Sequence, residues 1–154
     1  MSVPTHATRR ERVTPSRLRT TLPLLVMGLL YWLSSLPGSL LPGNNAQFAL
    51  FHWVPPSVQN ALHVPAYATL AGAWFWALAA WPSVARVRLA GAFAIAVAYG
   101  LFDEWHQSFV PGRFASLTDV TLDFAGAVLG ICLASWMDTR FGAGKPKTDS
   151  ERAV

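Results

Sequence analysis

Four apolar runs, separated by short segments rich in proline or polar residues, constrain this chain more than any other feature of its sequence. They cover residues 20–36, 60–81, 86–105 and 116–137. About 20 helical residues cross the roughly 30 Å hydrocarbon core of a bilayer. Only 13% of the 154 residues are charged, whereas a soluble domain averages about 25%. The sequence therefore predicts an all-α membrane protein, a bundle of four transmembrane helices.

Prolines lie at the ends of two of these runs, and acidic residues interrupt a third. Pro23 and Pro65 are predicted to lie in the first turns of their helices, where a missing N–H costs little. Pro82 ends the second run. The fourth run is the least apolar, because it carries Asp119 and Asp123. No run shows the alternating pattern that is typical of a strand.

Two tails and one long connection lie outside the predicted spans. Residues 1–19 form a basic tail, and residues 138–154 form a second tail of low apolar content that is predicted to be disordered. Between the first two spans, the segment 37–59 is rich in Pro, Gly and Asn. Its uncharged aromatic middle, residues 48–54, is predicted to lie at the membrane interface, where Trp is favoured.

The positions of Lys and Arg predict the orientation. Eleven of the 12 basic residues precede the first span, separate the second from the third, or follow the fourth. Cytoplasmic loops carry an excess of Lys and Arg. Both termini are therefore expected in the cytoplasm, with several spans through the cytoplasmic membrane. The basic ends suit contact with membrane lipids rather than with nucleic acid, since long apolar runs separate them.

A polar cluster is predicted at the outer face. Residues 102–126, the turn between the third and fourth spans, hold four of the eight acidic residues, and His63 opens the second span at the same face. Helical positions three or four apart share a face, so one stripe of the fourth span contains Asp119, Asp123, Gly126 and Gly130. The last two form a small-xxx-small motif, which lets helices approach closely.

Asp123 should lie roughly 6 Å deeper in the membrane than Asp119. An ionised Asp at depth costs about 2.5–3.5 kcal/mol on insertion scales, so Asp123 should face the bundle interior and have a partner. Arg113 and His63 are the available candidates. The sequence predicts a network in which Arg113 contacts Asp119 or Asp123, with Glu104 and His63 nearby.

Each polar residue has alternative interpretations. Arg113 with Asp119 is either an ion pair that stabilises the outer turn or an anion site for phosphate or carboxylate. Glu104 either caps a helix or pairs with Arg113, or it is a general base. His63 is either a packed polar residue or part of a site. Asp103 is expected to be a solvated charge at a helix end.

A metal site is not predicted from the sequence. His63, Glu104 and His106 carry suitable ligand atoms, but no metal-ligand spacing such as H-E-x-x-H is present. No phosphate-binding loop, nucleotide-binding motif or nucleophile elbow is present either. Neither a metal nor another cofactor is therefore expected.

Two motifs resemble those of a known family. Residues 103–113 read D-E-W-H-Q-S-F-V-P-G-R, and residues 118–130 read T-D-V-T-L-D-F-A-G-A-V-L-G. They resemble the D-E-x-x-Q, P-G-R and G-x-x-x-G signature of the VanZ-like family of small membrane proteins. His63 followed by Tyr67 resembles its second motif. The chain departs from the family pattern at Gln59-Asn60, where an acidic–basic pair is usual, and at Asp123, where Asn is usual.

The resemblance covers most of residues 20–137 in topology. It implies a role in the cell envelope, since the family takes its name from a member linked to teicoplanin resistance. It also implies a functional cluster, whose members are His63, Tyr67, Glu104, Gln107, Arg113, Asp119 and Asp123.

Three classes of function fit these observations. The first is a module that binds a lipid-linked or amphiphilic ligand, such as a glycopeptide-type antibiotic, at the outer polar site. The second is a membrane enzyme that acts on a lipid-linked envelope substrate, with Arg113 holding phosphate. The third is a structural or assembly protein whose polar cluster joins four helices. Binding is preferred, because no recognised catalytic arrangement is present.

Overall fold

The structure, a computed structural model, describes residues 15–37, 55–81 and 84–141. Within these ranges the chain is helical and contains no strand, which confirms the all-α prediction. The helices are α1 (Pro15–Ser34), α2 (Pro56–Ala61), α3 (His63–Leu78), α4 (Ala85–Gln107) and α5 (Leu117–Phe141). The predicted interfacial segment 48–54 and most of both predicted tails lie outside the described residues.

Helix α1 differs from its prediction at Pro23. Because α1 already includes Pro15, Pro23 lies in its third turn and not in its first. An interior proline removes one backbone hydrogen bond of the helix. The Pro23 ring is fully buried, so it packs against the bundle rather than facing solvent or lipid.

The second apolar run forms two helices instead of one continuous span. The six-residue α2 ends at Ala61, and the 16-residue α3 begins at His63. Leu62 between them keeps a helical backbone, with φ of −68° and ψ of −18°. Pro65 lies in the first turn of α3, as predicted. It has no N–H for the carbonyl of Ala61, which accounts for the break at this point.

Two of the described helices are long and apolar enough to cross a membrane, namely α4 and α5. Helix α4 extends beyond the predicted segment 86–105 at both ends, and α5 extends beyond the predicted segment 116–137 at its C-terminal end. Helix α3 is shorter, since 16 residues at 1.5 Å each give roughly 24 Å. The four-span bundle therefore stays a prediction.

Helix α3 packs against α1, α4 and α5 through a core of small and aromatic residues. Its buried members are Tyr67, Leu70, Ala71, Ala96, Tyr99 and Ala127. The closest approach is between α3 and α5. A Cβ added to Gly126 would overlap the carbonyl oxygen of Val64, and one added to Gly130 would overlap that of Ala68. The two glycines therefore bring α5 into backbone contact with α3.

Candidate functional site

His63 and Asp123 form a hydrogen-bonded pair between α3 and α5. Nδ1 of His63 lies 2.7 Å from Oδ1 of Asp123, and the two side chains are 16% and 2% exposed. The close approach of the two helices at Gly126 places His63, in the first turn of α3, beside the second turn of α5. His63 is thus the partner that a buried Asp123 requires.

Arg113 reaches α1 rather than the acidic residues of α5. Its Nε donates to the carbonyl of Leu36 at 3.1 Å, and Nη2 donates to that of Leu33 at 3.3 Å. Among the described residues no ion pair within 4.0 Å joins Arg113 to Asp119 or Asp123. The predicted contact is therefore wrong. The last carbonyls of a helix have no intrahelical donor. The guanidinium donates to one of these, the carbonyl of Leu33, and to the carbonyl of Leu36 just beyond α1.

The P-G-R turn supports this position of Arg113. Gly112 has a φ of 75°, a backbone conformation that favours glycine, and the backbone N–H of Arg113 donates to the carbonyl of Val110. The pKa of the Arg113 guanidinium is lowered, because the effect of burial exceeds the opposite effect of the carboxylates of Asp103, Asp119 and Glu104. The guanidinium keeps its charge at neutral pH.

Glu104 holds the beginning of α5. Its Oε2 accepts the backbone N–H of Ser116 at 2.7 Å. The Ser116 hydroxyl in turn accepts the N–H of Thr118 at 3.1 Å and of Asp119 at 3.4 Å, as an N-cap residue does. The structure therefore favours the helix cap over an ion pair with Arg113, and the interpretation of Glu104 as a general base stays a prediction.

Asp103 is buried, with an exposed fraction of only 4%. Its Oδ2 accepts a hydrogen bond from Nε2 of Gln107 at 3.0 Å. The expectation of a solvated charge at a helix end is wrong, because α4 continues to Gln107 and places Asp103 one turn inside the helix. Gln107 lies four residues after Asp103 on α4, so the two side chains share a face of this helix.

Five buried oxygens in this region have no hydrogen-bond partner among the described residues. They are the hydroxyl of Tyr67, Oδ1 of Asp103, Oε1 of Glu104, Oδ1 of Asp119 and Oδ2 of Asp123. Native proteins rarely leave buried polar groups unpaired. The concentration of such groups at one end of the bundle makes this region the candidate site.

A cavity of about 130 Å³ opens beside these residues, between α1, the start of α3, the end of α4 and Arg113. Only some of the seven predicted cluster residues line this cavity. Four of them line it directly: His63, Tyr67, Gln107 and Arg113. Glu104, Asp119 and Asp123 are buried but do not line the cavity, and Asp123 is hydrogen-bonded to the lining residue His63.

Sequence reasoning missed two contributors at the C-terminal end of α1. Ser34 is buried and lines the cavity. Oγ of Ser35, the residue after α1, lies 2.9 Å from Nε2 of His106 on α4. The signal was present in the sequence, since this pair of hydroxyls interrupts the C-terminal end of an apolar run. Asp103 was also missed as a lining residue, although its spacing of four from Gln107 indicates a contact.

Comparison with known proteins places the chain in a family. The family model VanZ/LLP1 matches residues 5–138, which include both motifs and every residue of the candidate site. No curated protein and no solved structure matches the chain significantly. Because the family match covers most of the 154 residues, the resemblance of the motifs is confirmed, and the chain belongs to the VanZ/LLP1 family.

Proposed function

We propose that this chain is a multi-pass protein of the cell envelope that binds the polar head of a lipid or another amphiphile. The observation that carries this proposal is the composition of the cavity wall. Four of the residues that line it are apolar, namely Leu30, Leu33, Leu62 and Ala66. The other seven are polar, namely Ser34, Gln59, His63, Tyr67, Asp103, Gln107 and Arg113. A molecule with a polar head and an apolar chain matches residues of both kinds.

The charges of the wall indicate the kind of head group. Arg113 supplies a positive charge and Asp103 a negative one. The guanidinium has five N–H donors, and its bonds to α1 use two of them. A head that carries both a phosphate and an amine would meet an opposite charge at each end.

The size of the cavity favours a head group over a whole antibiotic. Pockets that enclose a drug-sized ligand measure roughly 300–1,000 Å³, whereas this one measures about 130 Å³. A glycopeptide-type molecule would therefore place one substituent in the cavity and keep the rest outside. A phospholipid or lipid-linked precursor would place its head there and its chains in the bilayer.

The exposed surface suits a lipid environment. Large apolar side chains are exposed on all four long helices, including Leu25, Trp32, Trp76, Trp105 and Leu133. Extended exposed apolar surface marks a membrane or protein contact. Together with the two span-length helices, this supports the proposed multi-pass placement, with the cavity at the outer face.

Filling the cavity should abolish binding of the head group. Ala66→Phe adds a ring to the apolar wall, and we expect it to weaken binding of a short-chain phosphatidylethanolamine at least about ten-fold, or roughly 1.4 kcal/mol. Isothermal titration calorimetry on the detergent-purified chain measures this. Ala94→Phe, at an exposed position of α4 outside the cavity, is the control. Equal affinity of both variants and wild type would exclude the cavity as the binding site.

The proposed orientation can be tested by cysteine labelling of intact cells. Cys132 is exposed on α5 and is first replaced by Ser. Cysteine introduced at Pro111, an exposed position of the outer turn, should react with an impermeant maleimide. Cysteine introduced at Lys145 should react only after the membrane is opened, because of the asymmetry in basic residues. Reaction of position 145 from outside would reverse the orientation.

A second candidate function is catalysis on a lipid-linked envelope substrate. The pair of His63 and Asp123, at 2.7 Å, resembles a base that a carboxylate orients. His63 also lines the cavity, where a bound head group would lie. Chemical conversion of the bound lipid, followed by mass spectrometry, separates catalysis from binding alone.

The third candidate is a structural role for the polar cluster. The bonds of Arg113 to α1 and of Glu104 to the start of α5 do join helices. Direct ion pairs that filled the space would favour this role alone. The cavity and the unpaired oxygens favour a ligand in addition.

A further inference from the structure

We propose that His63, Glu104 and Asp123 bind a divalent metal ion beside the cavity. One ligand atom from each of these side chains lies within 4.8 Å of the others. The three residues come from α3, α4 and α5, so the site would form only where these helices meet. This proposal goes beyond the binding of a head group and does not depend on it, since Glu104 and Asp123 are not part of the cavity wall.

Two carboxylate oxygens of the group His63, Glu104 and Asp123 have no hydrogen-bond partner among the described residues and are available to bind a cation. Oε1 of Glu104 and Oδ2 of Asp123 are buried without a partner, in side chains that are only 5% and 2% exposed. The other oxygen of Glu104, Oε2, accepts the N–H of Ser116. Glu104 is therefore oriented, as metal-ligating carboxylates are by their outer-shell hydrogen bonds.

His63 supplies the nitrogen ligand. Its Nδ1 shares a proton with Oδ1 of Asp123 across 2.7 Å. A metal ion that binds both residues would take the place of this proton and release it, as binding to imidazole and carboxylate generally does. The pair would then hold the ion at the start of α3, next to the cavity that His63 also lines.

The local charge favours a cation over an anion at this position. Asp103, Glu104, Asp119 and Asp123 are all buried here, and the guanidinium of Arg113 bonds to backbone carbonyls of α1. Isolated charges in an apolar interior are costly unless they are paired or coordinate a metal. A divalent ion would offset two of the four negative charges.

The donor set indicates which ions would fit. One imidazole and two carboxylates suit Zn²⁺ and Mn²⁺. Bonds of about 2.0–2.2 Å place neighbouring ligand atoms roughly 3–3.5 Å apart, so closing from 4.8 Å needs only small side-chain rotations. Three protein ligands leave at least one position open, which a water or a phosphate oxygen from the cavity could take.

Metal titration of the whole chain tests the proposal. We expect the detergent-purified protein, stripped with EDTA, to bind about one equivalent of Zn²⁺ or Mn²⁺ by calorimetry. Glu104→Gln and His63→Gln should each weaken binding at least about 100-fold, beyond the 10- to 100-fold typical of outer-shell changes. Asp103→Asn is the control, because it removes the same charge from the neighbouring position without removing a ligand atom.

Two results would overturn the proposal. The first is a wild-type chain that binds neither ion stoichiometrically, which decides the question even where a variant fails to fold. The second is an equal loss of affinity in Asp103→Asn and Glu104→Gln, which would indicate diffuse attraction by negative charge. Lipid binding without metal binding would reject the metal site and leave the head-group site standing.

Discussion

His63→Leu is expected to lower the free energy of unfolding by about 3–5 kcal/mol, because it leaves the carboxylate of Asp123 buried without its partner. Oδ1 of Asp123 loses the 2.7 Å bond, and Oδ2 already has no partner among the described residues. The measurement is reversible unfolding in detergent, in EDTA so that metal binding does not contribute. The double variant His63→Leu/Asp123→Asn should recover part of the loss, since an unpaired amide costs only about 1–3 kcal/mol.

Asp138→Asn is the matched control for this experiment. Its partner Arg88 lies at 3.0 Å, but the Asp138 side chain is 43% exposed. Exposed ion pairs contribute about 0–1 kcal/mol, so this change should have little effect. Asp123→Asn alone keeps the shape and a hydrogen-bonding group, so its cost should be small. Equal losses for His63→Leu and Asp138→Asn would contradict the buried pair.

Gly130→Ala should destabilise the packing of α5 on α3 by about 1–3 kcal/mol, the usual cost of overpacking. The added Cβ would meet the backbone of Ala68, whose Cα and C atoms lie at 2.7 and 2.8 Å from its position. Backbone atoms of a packed helix cannot rotate aside as the end of a side chain can, so the two helices must move apart. Unfolding in detergent measures the loss.

Gly28→Ala, in contrast to Gly130→Ala, is expected not to lower the free energy of unfolding. Nothing lies within 4 Å of a Cβ at Gly28, which is in the middle of α1. Alanine exceeds glycine in helix propensity by about 1 kcal/mol, so this variant should be as stable as wild type or more so. If Gly130→Ala were equally harmless, the close contact between α3 and α5 would be wrong.

The sequence alone predicted the helical fold and the end of the bundle at which the polar residues gather. Both are local properties. The length and spacing of the apolar runs predict the number and position of the long helices. The distance of Asp119, Asp123 and His63 from the end of a run predicts how far along its helix each residue lies. The stripe that ends in Gly126 and Gly130 follows from the helical repeat in the same way. The structure differs from the prediction at Pro23 and at Leu62, and both differences concern the residue at which a helix begins.

The tertiary structure alone decided which polar groups meet. A repeat shows the face of a helix on which a side chain lies, but not which neighbour turns towards that face. Arg113 donates to carbonyls at the end of α1 and just beyond it, because these lie within reach of its guanidinium. The packing of α5 on α3 brings Asp123 within hydrogen-bonding distance of His63. The cavity and the group of His63, Glu104 and Asp123 have no sequence signature, because residues 41 and 60 positions apart meet only once three helices pack.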